Sequence, residues 1–258
     1  MTSRDVHALV AELAGWAELS GRAPSTLAYG DGPDQIAELL LPDGSGPHRV
    51  AVLLHGGFWR AAFTRTTMAA LAVDLAERGV ATWNVEYRRV GTGGGVPETL
   101  DDVRAAIAML PAIDAPLRLD RVLVVGHSAG GQLALCVADA PLVTTVVSLA
   151  GVCDLRDGAA DEIGDGAVLE FIGATPAEAP DAYAIADPVA QLPVGANVLL
   201  VHGDADQRVP IEQSRRYARA AVAAGSDCEL MELAGVDHFA LIDPRSAAWA
   251  AVASRLVS

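Results

Sequence analysis

The sequence contains no lysine, and acidic residues far outnumber basic ones. All 18 basic residues are arginine, against 33 aspartate and glutamate residues, which gives a formal net charge of −15. Proteins that bind nucleic acid present a basic stripe that displaces counterions from the phosphates. Here the only adjacent arginines are Arg88-Arg89 and Arg215-Arg216. We therefore expect neither nucleic acid nor an anionic membrane as a partner, and the charge favours solubility.

Cysteine and metal-binding patterns are also scarce. Cys136, Cys153 and Cys228 form an odd set without a CxxC pair, which argues against a disulfide framework and against a zinc cluster. No group of histidine, cysteine or acidic residues has the spacing of a metal site. The sequence therefore predicts no metal and no organic cofactor.

Long apolar runs are absent too. Although 52% of the residues are apolar, no stretch approaches the roughly 18 consecutive apolar residues that a membrane helix needs. The N-terminal segment MTSRDVHALVAELAGWAEL is interrupted by Asp5, Glu12 and Glu18, so it predicts an amphipathic helix and not a secretory segment. We expect a cytoplasmic protein.

Apolar runs do recur at strand length, separated by helical patterns. VAVLL, VLVV and VLLV are apolar on both faces, as in a parallel sheet covered by helices on each side. Repeated βαβ units with short links predict a doubly wound, mostly parallel α/β sheet, and 258 residues suit a single domain, 1–258. Predicted strands cover two segments within 27–41 and then 49–55, 80–86, 121–125, 144–149, 197–201 and 228–233; predicted helices cover 66–78, 97–110, 129–138, 211–224 and 246–256.

Residues 154–190 break this alternation. The segment is acidic, rich in alanine, glycine and proline, and has no clear strand pattern. In a doubly wound sheet, ligands bind at the carboxyl ends of the strands. We therefore expect 154–190 to be a long functional loop, inserted as a cap over those strand ends.

The motif GHSAGG, residues 126–131, lies directly between a predicted strand and a predicted helix. A turn this tight holds its central residue, Ser128, at strained backbone angles, and the small Gly126 and Gly130 let the flanking backbone pass. The Ser128 hydroxyl would then lie at the N-terminus of the next helix, whose dipole favours developing negative charge. The context predicts that Ser128 is a nucleophile.

A serine nucleophile needs a base that is itself oriented by an acid, and in this topology they follow in the order Ser, Asp or Glu, His. His238, in DHF, is the one histidine on a late loop after a strand, which makes it the predicted base. In HGDADQRVP, residues 202–210, the acid is Asp206 or Asp204. We favour Asp206, because Asp204 lies nearer the strand, where it is placed to cap the turn. Asp237 is expected to form local hydrogen bonds only.

Two consecutive glycines follow another predicted strand, in HGGFWR, residues 55–60. Backbone N–H groups in such a loop can face a bound carbonyl, and acyl transfer needs donors of this kind for its oxyanion. We assign the N–H groups of Gly57, Phe58 and Ala129 to this oxyanion hole.

Three side chains beside these motifs are candidates for substrate binding. Phe58 and Trp59 carry large rings next to the oxyanion hole, and His127 precedes the nucleophile. The two rings either line an acyl or leaving-group pocket or pack under the loop. The sequence alone leaves these alternatives open.

With Ser128, Asp206, His238 and the HGG loop, the chain resembles the α/β-hydrolase superfamily from about residue 27 to its C-terminus. The combination of HGGFW, GHSAGG, HGDAD followed by VP, and DHF is specific for that superfamily. Within it, HGG followed by two aromatic residues is similar to the HGGxW loop of kynurenine formamidases (arylformamidases) and related carboxylesterases. The resemblance implies an α/β-hydrolase fold and, in the formamidases, hydrolysis of N-formylkynurenine by a Ser–Asp–His triad.

Together these expectations describe a serine hydrolase of a small-molecule ester, small amide or formamide that works through an acyl-enzyme. Two alternatives stay open. A small-peptide exopeptidase, similar to prolyl oligopeptidase, would keep the same triad, and a non-catalytic protein would use the hydrolase fold to bind a ligand. The sequence also leaves open whether the chain forms a homodimer.

Overall fold

In the part of the chain that the structure describes, eight strands form one mostly parallel sheet. The structure, a computed structural model, describes residues 3–257; residues 1 and 2 of the predicted N-terminal helix, and residue 258, lie outside the described residues. The strands are β1 (Ser25–Ala28), β2 (Ile36–Leu40), β3 (His48–Leu54), β4 (Val80–Val85), β5 (Leu117–His127), β6 (Val143–Leu149), β7 (Asn197–Gly203) and β8 (Cys228–Leu233).

The direction in which successive strands are added to the sheet reverses between the neighbouring strands β3 and β5. Across the sheet the order is β1-β2-β4-β3-β5-β6-β7-β8; β2 pairs antiparallel with β1 and β4, and the other neighbours are parallel. The chain leaves β3 for β4 on one side and returns to β5 on the other. Ligands bind at such switch points, outside the carboxyl ends of the strands. The predicted doubly wound sheet is confirmed.

Helices cover both faces of the sheet, because alternate strand residues point to opposite sides. They are α1 (Ser3–Leu19), α2 (Ala69–Glu77), α3 (Glu98–Ala108), α4 (Ala129–Leu135), α5 (Leu155–Ala160), α6 (Ile163–Ile172), α7 (Pro180–Ala186), α8 (Glu212–Ala224) and α9 (Ala247–Leu256). On β3, Val50 and Val52 pack into a core shared with α3, α4 and α8, whereas Ala51 and Leu53 pack into a second core shared with α1, α2 and α9. The result is a three-layer sandwich that fixes the strand ends.

Most predicted elements lie within a few residues of their observed bounds. The largest difference among the strands is β5, which begins at Leu117 and not at residue 121. Its first residues, LRLDR, are largely exposed and alternate with charged side chains, so they lack the continuous apolar run that indicates the rest of the strand. No helix among residues 3–257 is both long enough and apolar enough to cross a membrane.

The segment 154–190 contains three helices where the sequence predicts a long loop, and its role as a cap over the strand ends stays a prediction. It forms α5, α6 and α7, followed by a 3₁₀ turn at Pro188–Gln191. Left-handed backbone at Gly164, Asp165 and Gly166 interrupts α6, which hides the helical period in the sequence. Beyond this interruption, α6 buries Val168 and Phe171 in the first core. The segment is therefore packed on the body of the fold.

Asp187, directly after α7, is a buried carboxyl that joins two parts of this helical segment. Its Oδ1 accepts a hydrogen bond of 3.0 Å from the Leu155 N–H at the start of α5. Burial raises the pKa of Asp187 to about 6. The folded state thus binds this proton more tightly than the unfolded state does, so the contribution of Asp187 to stability falls as pH rises from about 4 through about 6.

We expect Asp187→Asn to remove this dependence on pH. Between about pH 4 and pH 7, the free energy of unfolding of the parent should fall by roughly 2 kcal/mol relative to that of the variant. Urea unfolding of both proteins at several pH values measures the difference. Parallel stability curves for parent and variant would contradict the prediction.

Candidate active site

Ser128 occupies the sharp turn between β5 and α4. Its backbone angles, φ 56° and ψ −119°, belong to a turn position that normally favours glycine. The turn is possible because its neighbours lack side chains: a Cβ on Gly126 would overlap the Gly130 carbonyl, and one on Gly130 would overlap the Leu54 carbonyl. Ser128 is thereby held at the N-terminus of α4, on the wall of a pocket.

Asp206 and His238 meet at this edge although they follow different strands, β7 and β8. The Asp206 Oδ2 accepts a hydrogen bond of 2.6 Å from the His238 Nδ1, and its Oδ1 accepts from the N–H groups of Arg208 (2.7 Å) and Val209 (3.0 Å). Burial alone would raise the pKa of Asp206, but hydrogen bonds from His202 and His238 outweigh burial and hold the pKa well below its usual range. A hydrogen on Nδ1 leaves Nε2 of the neutral His238 ring as an acceptor.

One cavity of about 680 Å³ brings the three predicted catalytic residues together. Ser128, Asp206 and His238 all line it. Its size is in the usual range for small-molecule sites. Much of the remaining wall is apolar and comes from α1, the HGG loop, α6 and the loop after β8: Val6, Val10, Phe58, Phe63, Ile163, Phe239 and Ile242.

His127, the last residue of β5 and the neighbour of Ser128, also lines the cavity. Its Nε2 lies 3.0 Å from the His238 carbonyl oxygen, which can only accept, so Nε2 is the donor. Burial, and next the neighbouring His238, lower the pKa of His127 to about 3. His127 is therefore neutral at physiological pH, and it anchors the backbone of His238.

The loop after β3 presents free backbone donors next to Ser128. A Cβ on Gly56 would lie only 2.9 Å from the Ser128 Cβ, so the HGG loop and the turn that carries Ser128 are in contact. The chain then turns through positive φ at Gly57 (117°) and Phe58 (54°). No hydrogen bond between residues 3–257 uses the N–H of Gly57, Phe58 or Ala129. These are the three donors that the sequence predicts for an oxyanion hole.

A buried network that the sequence analysis missed supports this loop. His55 lies with its Nδ1 2.7 Å from the Gly56 carbonyl and its Nε2 2.9 Å from Glu86 Oε1. Burial would raise the pKa of Glu86. The hydrogen bond from His55, the positive charge of Arg89 and the backbone N–H of Arg65 outweigh burial, so the pKa of Glu86 is lowered. The Gly56 carbonyl and the Gly57 N–H belong to the same peptide, and in a trans peptide these two groups point in opposite directions. The contact between His55 and the Gly56 carbonyl therefore directs the Gly57 N–H away from His55.

The structure separates the two aromatic residues of the HGGFW motif. Phe58 lines the cavity, and its ring covers Gly164 of α6 so closely that a Cβ there would overlap it. Trp59 is only 1% exposed, stacks on Phe171 at 4.6 Å and donates to Gln132 Oε1 at 2.9 Å. Of the two alternatives left open by the sequence, Phe58 therefore follows the first and lines the pocket, whereas the Trp59 ring follows the second and packs under the loop.

The other acidic candidates have local roles. Asp204 Oδ1 accepts from the Gly235 N–H at 2.6 Å, and Asp237 Oδ1 accepts from the N–H groups of Phe239 and Ala240. Each carboxylate caps a turn. Within residues 3–257, no three histidine, cysteine or acidic side chains are grouped so that they could hold a metal ion.

The sequence profile of the BD-FAE family matches residues 38–220, which is more than half of the chain. The chain belongs to the BD-FAE family. The match runs from β2 into α8 and includes the HGG loop, Ser128 and Asp206. His238 lies beyond it.

Several known proteins are similar to this BD-FAE family member. Esterase LipC of Mycobacterium tuberculosis is 27% identical over 242 residues, a match that covers 83% of this chain and 59% of LipC. The isoprenylcysteine alpha-carbonyl methylesterase ICME of Arabidopsis thaliana is 23% identical over 239 residues, covering 83% of this chain and 56% of ICME. The chain thus spans under two thirds of the length of these curated relatives.

Among solved structures, a bacterial heroin esterase superposes with a TM-score of 0.78 at 24% identity, covering 98% of this chain and 88% of that chain. A truncated carbohydrate esterase from gut microbiota superposes with a TM-score of 0.76 at 18% identity, covering 92% of this chain and 97% of that chain. At these identities the likeness concerns the fold. This BD-FAE family member has the α/β-hydrolase fold.

Proposed function

We propose that the protein is a serine hydrolase that cleaves carboxylic esters through an acyl-enzyme at Ser128. The observation that carries this proposal is the 2.6 Å hydrogen bond between His238 and Asp206 in the same cavity as Ser128. A nucleophile, a base and a buried acid in one pocket are the parts that acyl transfer requires. The curated relatives named esterases or methylesterases support the same chemistry.

In the proposed mechanism, the Ser128 hydroxyl attacks the ester carbonyl while the His238 Nε2 accepts its proton. Asp206 holds the imidazole by Nδ1 and stabilises the imidazolium that forms. The N–H groups of Gly57, Phe58 and Ala129 stabilise the oxyanion, where removal of one such donor typically costs ~100- to 1000-fold in turnover. The imidazolium protonates the leaving alcohol, and water then releases the acid from Ser128.

The substrate is proposed to be a neutral ester with an apolar acyl or alcohol group. The apolar side chains of the cavity, among them Phe58, Phe63 and Phe239, support such a group. The HGGFW motif suggested an arylformamide, but Trp59 is buried away from the cavity, so only Phe58 of the aromatic pair can contact a substrate there. A cytoplasmic location remains a prediction from the sequence.

A panel of chromogenic substrates tests the proposed reaction. We expect p-nitrophenyl acetate and butyrate to be cleaved with kcat/KM at least ~100-fold above that for N-formylkynurenine or for a dipeptide p-nitroanilide. A burst of nitrophenol equal to the enzyme concentration would reveal the acyl-enzyme. Faster cleavage of the formamide or of the nitroanilide would instead assign the arylformamidase or the exopeptidase activity.

A further inference from the structure

The Asp206 carboxylate contacts two imidazoles, not one. Its Oδ2 accepts from the His238 Nδ1 at 2.6 Å and lies 3.3 Å from the His202 Nε2. Its Oδ1 already accepts from two backbone N–H groups, at 2.7 and 3.0 Å. A second donor on Oδ2 therefore competes directly with the proposed catalytic base for negative charge on one oxygen.

The partners of His202 determine which of its nitrogens carries the hydrogen. The Nε2 lies 3.0 Å from the Val209 carbonyl oxygen, and the Nδ1 lies 2.8 Å from the Ser214 Oγ. A carbonyl oxygen and a carboxylate accept only, so Nε2 must be the donor, and the Nδ1 of the neutral ring accepts from the Ser214 hydroxyl. The Nε2–H thus donates to the Val209 carbonyl, and the Asp206 Oδ2 lies 3.3 Å from the same nitrogen.

His202 is not placed to touch a substrate. It is the last residue but one of β7, its side chain is 0% exposed, and it is not among the residues that line the cavity. Its Nε2 contacts both ends of the turn from residue 206 to residue 209. One contact is with the Asp206 carboxylate and the other is with the Val209 carbonyl. Any effect of His202 on catalysis must therefore act through Asp206.

We propose that His202 is a positioning residue that holds the Asp206 carboxylate in place and, by sharing its charge, tunes the basicity of His238. This inference rests on the proposed serine hydrolase function. A donor to a carboxylate lowers its charge at the atom it contacts, which weakens the attraction between Asp206 and the imidazolium form of His238. The other groups that face His238 are the neutral His127 on β5, the Phe239 ring and, over that ring, Arg208.

The matched variants His202→Met and His202→Gln separate the hydrogen bond from the packing. Met and Gln have similar size, but only Gln offers an N–H donor. For His202→Met we expect kcat/KM for p-nitrophenyl butyrate to fall by about 10- to 100-fold, the usual effect of a hydrogen bond to a charged group. We also expect the acid limb of the pH profile of kcat/KM to move up by about half a pH unit, because Asp206 then attracts the imidazolium more strongly.

His202→Gln should restore most of the activity and the position of the acid limb. If His202→Met does not fold, Ser214→Ala provides a second measurement, since it loosens the ring without removing the Nε2 donor; it should move the limb in the same direction by a smaller amount. Equal loss of activity in the Gln and Met variants with an unmoved acid limb would overturn the inference, because His202 would then act by packing alone. Failure of the hydrolase function itself would appear separately, as a Ser128→Ala protein that is as active as its parent.

Discussion

Ser128→Ala should lower kcat for p-nitrophenyl esters by about 10⁴- to 10⁶-fold, the range found when the nucleophile of a serine hydrolase is removed. The reason is chemical, because no other hydroxyl is held at the turn between β5 and α4. The residual rate should reflect only binding and the oxyanion donors. Since alanine has a Cβ like serine, the variant keeps the same backbone strain at φ 56°, and its thermal unfolding should match that of the parent.

A fluorophosphonate probe gives an independent readout of the same variant. The probe should label the parent protein and not Ser128→Ala. Ser254→Ala, on the exposed side of α9, is a matched control that should be labelled like the parent. Equal labelling of the parent and Ser128→Ala would favour a non-catalytic protein that only binds ligands with this fold.

Asp206→Asn is expected to cost about 10⁴-fold in kcat, the effect of the same change in a well-studied triad. The amide can still accept from the backbone of Arg208 and Val209 through its oxygen. Its NH₂ group then faces the His238 Nδ1, which also carries a hydrogen in the parent. Two donors repel, so the imidazole must rotate or change tautomer, and its Nε2 is no longer a base.

Two neighbouring carboxylates serve as controls for Asp206→Asn. Asp204 and Asp237 are close in sequence to the acid and the base, but each accepts from backbone N–H groups of a turn. Asp204→Asn and Asp237→Asn should keep kcat within a few-fold of the parent and lower the melting temperature instead. If kcat fell as far in either of these variants as in Asp206→Asn, the assignment of Asp206 as the catalytic acid would be wrong. Steady-state kinetics and thermal melts of all three variants decide this.

The sheet was predictable because its strands carry their own signal. Runs such as Val50–Leu54 are buried on both faces, as is typical of a parallel sheet that lies between two layers of helices. The turn at Ser128 was predictable for a related reason, since a tight strand-to-helix turn needs Gly126 and Gly130 whatever the rest of the chain does. Local sequence and fold require the same residues at these positions.

Two features of the site could not be predicted from the sequence. One depends on the order of the strands in the sheet, and the other depends on where the backbone adopts positive φ. His55 and Glu86 follow residues that pair in register, Leu54 and Val85, but this pairing is unknown until the order of the sheet is known. Similarly, Phe58 and Trp59 both have positive φ, and this pair of turns decides which ring reaches the cavity. No periodicity in the sequence encodes either fact.

The helices of segment 154–190 were missed because the turn at Gly164–Gly166 resets the helical phase. Alanine and glycine dominate the segment, so little apolar periodicity survives to indicate α6. The contact of Phe58 with Gly164 depends on the same left-handed turn. To predict the helices of segment 154–190, one must know which surface of the protein the segment covers.

The proposed catalytic groups come from loops that follow β3, β5, β7 and β8, with β8 at the edge of the sheet. A nascent chain on the ribosome therefore displays the nucleophile more than a hundred residues before its base, His238, has been synthesised. On the proposed mechanism, Ser128 would have no base to accept its proton until His238 has been added to the growing polypeptide. If the proposed mechanism holds, hydrolysis would begin only after β8 and the loop that carries His238 have left the exit tunnel, so the onset of activity would time the completion of folding.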